Sequence, residues 1–66
     1  MKQPKYARLL IREGICFPVI KIHFETKQVT LQEKEKVFNT VSIKNVDFDF
    51  SDFTEQEKEE FCRNFL

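Results

Sequence analysis

Pro18-Val19-Ile20-Lys21-Ile22-His23-Phe24-Glu25 places Ile20, Ile22 and Phe24 on one parity and Val19, Lys21, His23 and Glu25 on the other. A period of two over eight residues is that of a strand with one buried side. Pro18 suits the start of such a strand because it has no ladder N–H to offer, and it biases Phe17 towards an extended backbone. Thr26-Lys27 reads as a polar turn, after which Val29 and Leu31 resume the apolar side. The reading is a β-hairpin, although Thr-Lys lacks the Asn-Gly chemistry of the favoured tight turns.

Upstream, residues 6–12 alternate imperfectly: Ala7, Leu9 and Ile11 share one parity, Tyr6, Arg8 and Arg12 the other, and Leu10 is the misfit. This predicts a first strand, closed by a turn at Glu13-Gly14 in which the sole glycine takes a positive φ. Residues 1–5 are expected to form a flexible N-terminus. Downstream, the wholly polar residues 32–36 predict a loop. The competing reading is a short helix from Thr30, which has capping-box spacing to Glu33. A further strand is expected over 37–43, where Val37, Asn39, Val41 and Ile43 share a parity. The apolar parity then switches to Val46, Phe48 and Phe50, and a one-residue slip reverses the sides of a strand. A bulge or a two-residue hairpin turn at Lys44-Asn45 would absorb it. Asp47-Phe48-Asp49-Phe50 alternates acid and aromatic as an edge strand or an extended arm would.

The C-terminal segment reads as a helix over 54–65. Thr54 and Glu57 form a T-x-x-E capping box, Glu55, Glu57, Glu59 and Glu60 lie in the early turns, and Arg63 lies near the end. Phe61, Cys62, Phe65 and Leu66 form its apolar side, with Phe53 just before the cap. The expected architecture is one small α+β domain over 1–66: an antiparallel β-meander of three to five strands within 6–50 and one C-terminal helix packed on it. A small open barrel of the Src-homology-3 kind is compatible with short strands at this spacing, an analogy of fold that carries no function.

Composition narrows the function classes. The 66 residues are 41% hydrophobic and 33% charged, outside the low-hydrophobicity, high-charge range of disordered chains. No apolar run approaches the 18 or so residues of a membrane span. The net charge is zero, but residues 1–46 carry nine bases against four acids, and residues 47–66 carry two bases against seven acids. Such a chain either cancels its charge internally or offers a partner one charged face. Two cysteines, Cys16 and Cys62, make no disulfide framework, and no basic segment leads into an apolar one, which together point to reduced thiols in the cytoplasm. The initiator Met leads to the expectation of a complete small gene product, and the size to a bacterial, phage or mobile-element origin.

One glycine excludes a phosphate-cradling loop. Ser42, Ser51 and His23 form no nucleophile motif, and Cys16 with His23 would need a fold that joins them beside an acid. Cys16, His23 and Cys62 lack the paired spacing of zinc ligands, and Asp47, Asp49, Asp52 and Glu55 lack the glycine and register of a calcium loop. The expectation is therefore no catalytic residue, no metal and no cofactor. The chain reads as a non-enzymatic interaction module, a stoichiometric regulator or inhibitor whose partner is a protein or a second copy, with no membrane association. The candidate partner-binding residues are Asp47, Phe48, Asp49, Phe50, Asp52 and Phe53, where acids and aromatics alternate on a presumed edge. The alternative is a small nucleic-acid-binding domain with a basic face of Tyr6, Arg8, Arg12 and Lys21.

Overall fold

The apolar alternation produces five antiparallel strands: β1 (Tyr6–Leu9), β2 (Cys16–His23), β3 (Gln28–Lys34), β4 (Val37–Ser42) and β5 (Val46–Phe48). A helix, α1 (Glu55–Phe65), ends the chain. The structure is a computed structural model that describes residues 1–12 and 14–65. The strand order is β4-β3-β2-β1-β5. The long β2 serves both halves of the sheet: its residues 16–18 pair with β1, and its remainder pairs with β3. The sheet is open, and among the described residues no ladder joins β4 to β5.

A bulge between Val19 and Lys21 switches the parity of β2 that faces the core, so the expected sidedness holds at Ile22 and Phe24 but not at Val19 and Ile20. Phe17 is buried and Val19 packs against the core, Ile20 is left 50% exposed as the extra residue, and Ile22 turns inward at 7%. The expected burial of Ile20 is therefore wrong, because one extra residue shifts the side-chain period. Two substitutions separate these sites. Ile22→Ala is expected to cost about 2–5 kcal/mol, whereas Ile20→Ala should stay within about 0.5 kcal/mol of wild type. Denaturant melts of both variants check it, and equal losses would contradict the bulge.

The first strand stops at Leu9, short of the expected Arg12. Arg12 N–H donates to the Leu9 carbonyl at 3.0 Å and closes a turn that leaves Ile11 87% exposed rather than inward. Gly14 has φ +82°, as the turn reading requires, while Glu13 lies outside the described residues. The β2–β3 hairpin turns over residues 24–27, with Lys27 in the left-handed region at φ 57°. Its carbonyl accepts the Ile43 N–H at 3.1 Å. Residues 32–36 form no helix, and the expected loop is confined to two of them. β3 runs on through Lys34, and only Glu35 and Lys36 make the turn into β4. A projecting hairpin end has water on both sides, so polar residues extend it without penalty.

The parity switch after Ile43 is absorbed by a single 3-10 turn (Ile43–Asn45), not by a bulge or a tight hairpin. Ser42 Oγ caps it by accepting the Lys44 N–H at 3.3 Å. A hairpin would have paired β5 with β4. The 3-10 turn instead carries the chain across to the free side of β1, where Arg8 faces Asp47 and Ala7 faces Phe48.

The capping box forms as read. Glu57 N–H donates to Thr54 Oγ1 at 3.1 Å, and Thr54 N–H donates back to Glu57 Oε1 at 2.9 Å. The Thr54 backbone N–H, with Lys2 adding its charge, holds the Glu57 carboxyl below the ordinary glutamate range. The helix buries Phe61 and Phe65 completely. They join Phe24, Phe48, Phe50 and Phe53 in a cluster of rings whose centroids lie 5.1–6.5 Å apart, mostly edge to face. Lys2, Lys27 and Lys58 sit over the rims of this cluster, 5.0–5.7 Å from ring centroids. Leu66, read as part of the apolar side, lies outside the described residues.

Candidate functional site

The acid and aromatic residues of 47–53 part company in the structure. Phe48 is buried, and Phe50 and Phe53 are half-buried in the ring cluster. The acids point outward, and each meets a partner within the chain. Asp47 Oδ2 accepts from Arg8 Nη2 at 3.1 Å across the β1–β5 ladder. Asp49 Oδ1 accepts the Ser51 N–H at 2.9 Å in a local turn, and this bond above all holds its carboxyl below the ordinary aspartate range. Lys2 Nζ lies 3.7 Å from a carboxylate oxygen of Asp52 and of Glu57, donates to the Asp52 carbonyl and caps the Phe53 ring. Residues 47–53 thus anchor the helix and form one edge of the sheet.

The four residues of the basic face come from three parts of the chain. Tyr6 and Arg8 project from β1, Lys21 from β2, and Arg12 from the β1–β2 connection. Arg8 is paired with Asp47, and Arg12 Nη1 lies 3.4 Å from Glu33 Oε1. Exposed pairs of this kind contribute about 0–1 kcal/mol, yet each neutralises a cation that a phosphate would need. Arg8, Leu9, Leu10, Gly14 and Asp47 line an open depression of about 370 Å³. Among the described residues its charged wall is the Arg8–Asp47 ion pair.

The residues considered for catalysis stay apart. Cys16 and His23 stand at opposite ends of β2, and seven residues of extended chain separate them by roughly 20 Å. His23 Nε2 instead lies 2.8 Å from Thr30 Oγ1, which lies 2.7 Å from Thr40 Oγ1, a polar row across the outer side of β2, β3 and β4. Cys16 and Cys62 are both free thiols. Among the described residues no three His, Cys, Asp or Glu side chains converge as metal ligands, and no helix is long and apolar enough to cross a membrane.

The most exposed apolar strand is β4, at the opposite edge from the acidic segment. Val37 is 46% and Phe38 55% exposed, and Asn39 and Thr40 are exposed beside them. Its six residues, Val-Phe-Asn-Thr-Val-Ser, contain no charge, no proline and no glycine. Because Ile43 N–H donates to the Lys27 carbonyl, the alternation of an antiparallel ladder directs the backbone groups of Val41 and Asn39 to β3. The N–H and C=O groups of Phe38, Thr40 and Ser42 then point away from the sheet. β5, by contrast, is three residues long and leaves only Val46 and Phe48 facing outward in this way. An uncharged stretch rich in β-branched and aromatic residues between Lys36 and Lys44 was the signal for this edge. Its place at the edge depends on strand order, which no local pattern contains.

No protein-family profile, no curated protein and no solved structure matches this chain.

Proposed function

We propose that this chain is a non-enzymatic protein-interaction module of the cytoplasm, acting as a stoichiometric regulator or inhibitor of a protein partner. The observation that carries the reading is the uncharged β4 edge with Val37 and Phe38 exposed on it. Unpaired strand edges invite pairing, and natural proteins normally blunt them with charge, proline or a covering element. The ion pairs of Arg8 with Asp47 and Arg12 with Glu33 support a protein partner over nucleic acid, since both reduce the charge available to phosphate. Two free thiols accord with a reducing compartment.

The test is retention from a source-cell lysate on the immobilised full chain, with nuclease-treated and untreated arms and with Phe38→Asp as the comparison. Phe38 is outside the core, so the variant folds. The reading expects a protein retained near equimolar ratio after nuclease treatment and lost with Phe38→Asp. Retention that disappears on nuclease treatment, or no retention at all, overturns it.

A further inference from the structure

The β4 edge is bounded by cations. Lys34 and Lys36 lie at the hairpin end and Lys44 lies just past Ser42; all three are exposed, and among the described residues none is within ion-pair distance of a carboxylate. The carboxylates at the hairpin end are Glu33, occupied by Arg12, and Glu35 in the turn itself. The edge is thus neutral along its length and positive at both ends.

Resting on the interaction-module reading, we infer that β4 binds an extended segment of the partner by strand addition, and that this segment has an uncharged, β-branched centre with acidic residues at its two ends. The outward N–H and C=O groups of Phe38, Thr40 and Ser42 supply the main-chain bonds, which fix orientation and register. Thr40 and the exposed Val37 offer cross-strand neighbours to β-branched side chains, and Phe38 offers a ring on the outer side. The terminal lysines select the flanks, since opposite charges steer association and like charges reject it.

The same charges argue against a second copy as the occupant. Any two-fold pairing of β4 with β4 gathers Lys34, Lys36 and Lys44 of both copies along one seam, with only the Glu35 residues to offset them. The repulsion is greatest in the fully overlapped register, which sets Lys36 of one copy near Lys44 of the other. An acidic-ended strand neutralises the same groups.

The test uses the full chain, isotope-labelled, and two synthetic octapeptides that share an alternating Thr-Val centre, one with two Asp at each end and one with two Lys. The Asp-ended peptide is expected to shift the amide resonances of Phe38, Thr40 and Ser42. Its midpoint should be at least about tenfold lower than that of the Lys-ended peptide at 0.1 M salt, an advantage that shrinks at 1 M as the Debye length falls from about 10 to about 3 Å. Thr40→Pro, which removes an outward N–H without touching the β3 ladder, should abolish the shifts, and Thr40→Val, which keeps that N–H, should preserve them. Equal binding of both peptides, shifts confined to other residues, or no shift overturns the inference. So does concentration-dependent self-association that Thr40→Pro removes, or displacement by a single-stranded oligouridylate. If Thr40→Pro still retains the lysate partner that Phe38→Asp loses, strand addition at β4 fails while the interaction-module reading stands.

Discussion

Phe61→Ala is expected to lower the melting temperature by at least about 12 °C and to leave the chain close to its folding limit. Phe61 is fully buried and contacts Phe24, Phe48, Phe50, Phe53 and Phe65, so truncation removes the ring at the centre of the cluster. Deleting a buried Phe costs about 3–5 kcal/mol, and a 66-residue domain has only about 3–10 kcal/mol in total. At about 4–8 °C per kcal/mol for this size, the shift is large. Phe38→Ala is the matched control: the same residue type, 55% exposed, should move the midpoint only slightly. Thermal melts by circular dichroism check both, and similar shifts for the two would contradict the placement of the core.

Truncation after Phe53 is expected to abolish cooperative folding. It removes Phe61 and Phe65 together and uncovers Phe24, Phe48, Phe50 and the remaining side of Phe53. Each aromatic ring buries about 150–250 Å², and a chain this small buries only about 60% of its unfolded surface even when intact. The eleven-residue helix in turn is too short to persist alone in water, so sheet and helix stabilise each other. Sedimentation and calorimetry should find the truncated chain aggregated or without a melting transition. A monomeric, cooperatively melting product would mean that the sheet carries its own core.

Features governed by neighbours in sequence were legible, and features governed by tertiary packing were not. The Thr54 and Glu57 box was readable because both hydrogen bonds close within four residues. The positive φ at Gly14 and the inward Ile22, Val29 and Leu31 followed equally from local pattern. The bulge at Ile20 has no sequence signature, because Val19, Ile20 and Ile22 are all apolar and either parity could face the core. The strand path of Gln32-Glu33-Lys34 was hidden for a related reason. Beyond the reach of α1 the hairpin needs no apolar residues, so nothing in its composition distinguished strand from loop.

The edge proposed here differs from the expected one for a topological reason. A simple meander makes the last strand an edge, which directed attention to Asp47, Asp49 and Asp52 between their aromatics. β5 is an edge, but a three-residue one beside β1, with Phe48 turned inward and Asp47 joined to Arg8. The longer edge is β4, since the 3-10 turn at Ile43–Asn45 lifts the chain away before it can cover that strand. Asp47 of the acidic set and Arg8 of the basic set form one ion pair, while Asp52 meets Lys2 and Arg12 meets Glu33.

Amide hydrogen exchange along β4 in the free chain tests whether this edge is open to a strand. Alternating protection is expected: Asn39, Val41 and Ile43, bonded to β3 or to the turn before it, exchange at least about tenfold more slowly than Phe38, Thr40 and Ser42. Uniform protection of all six would mean that the edge is already covered, and uniform rapid exchange would mean that β4 is not formed. Either result would rule out an open β4 edge.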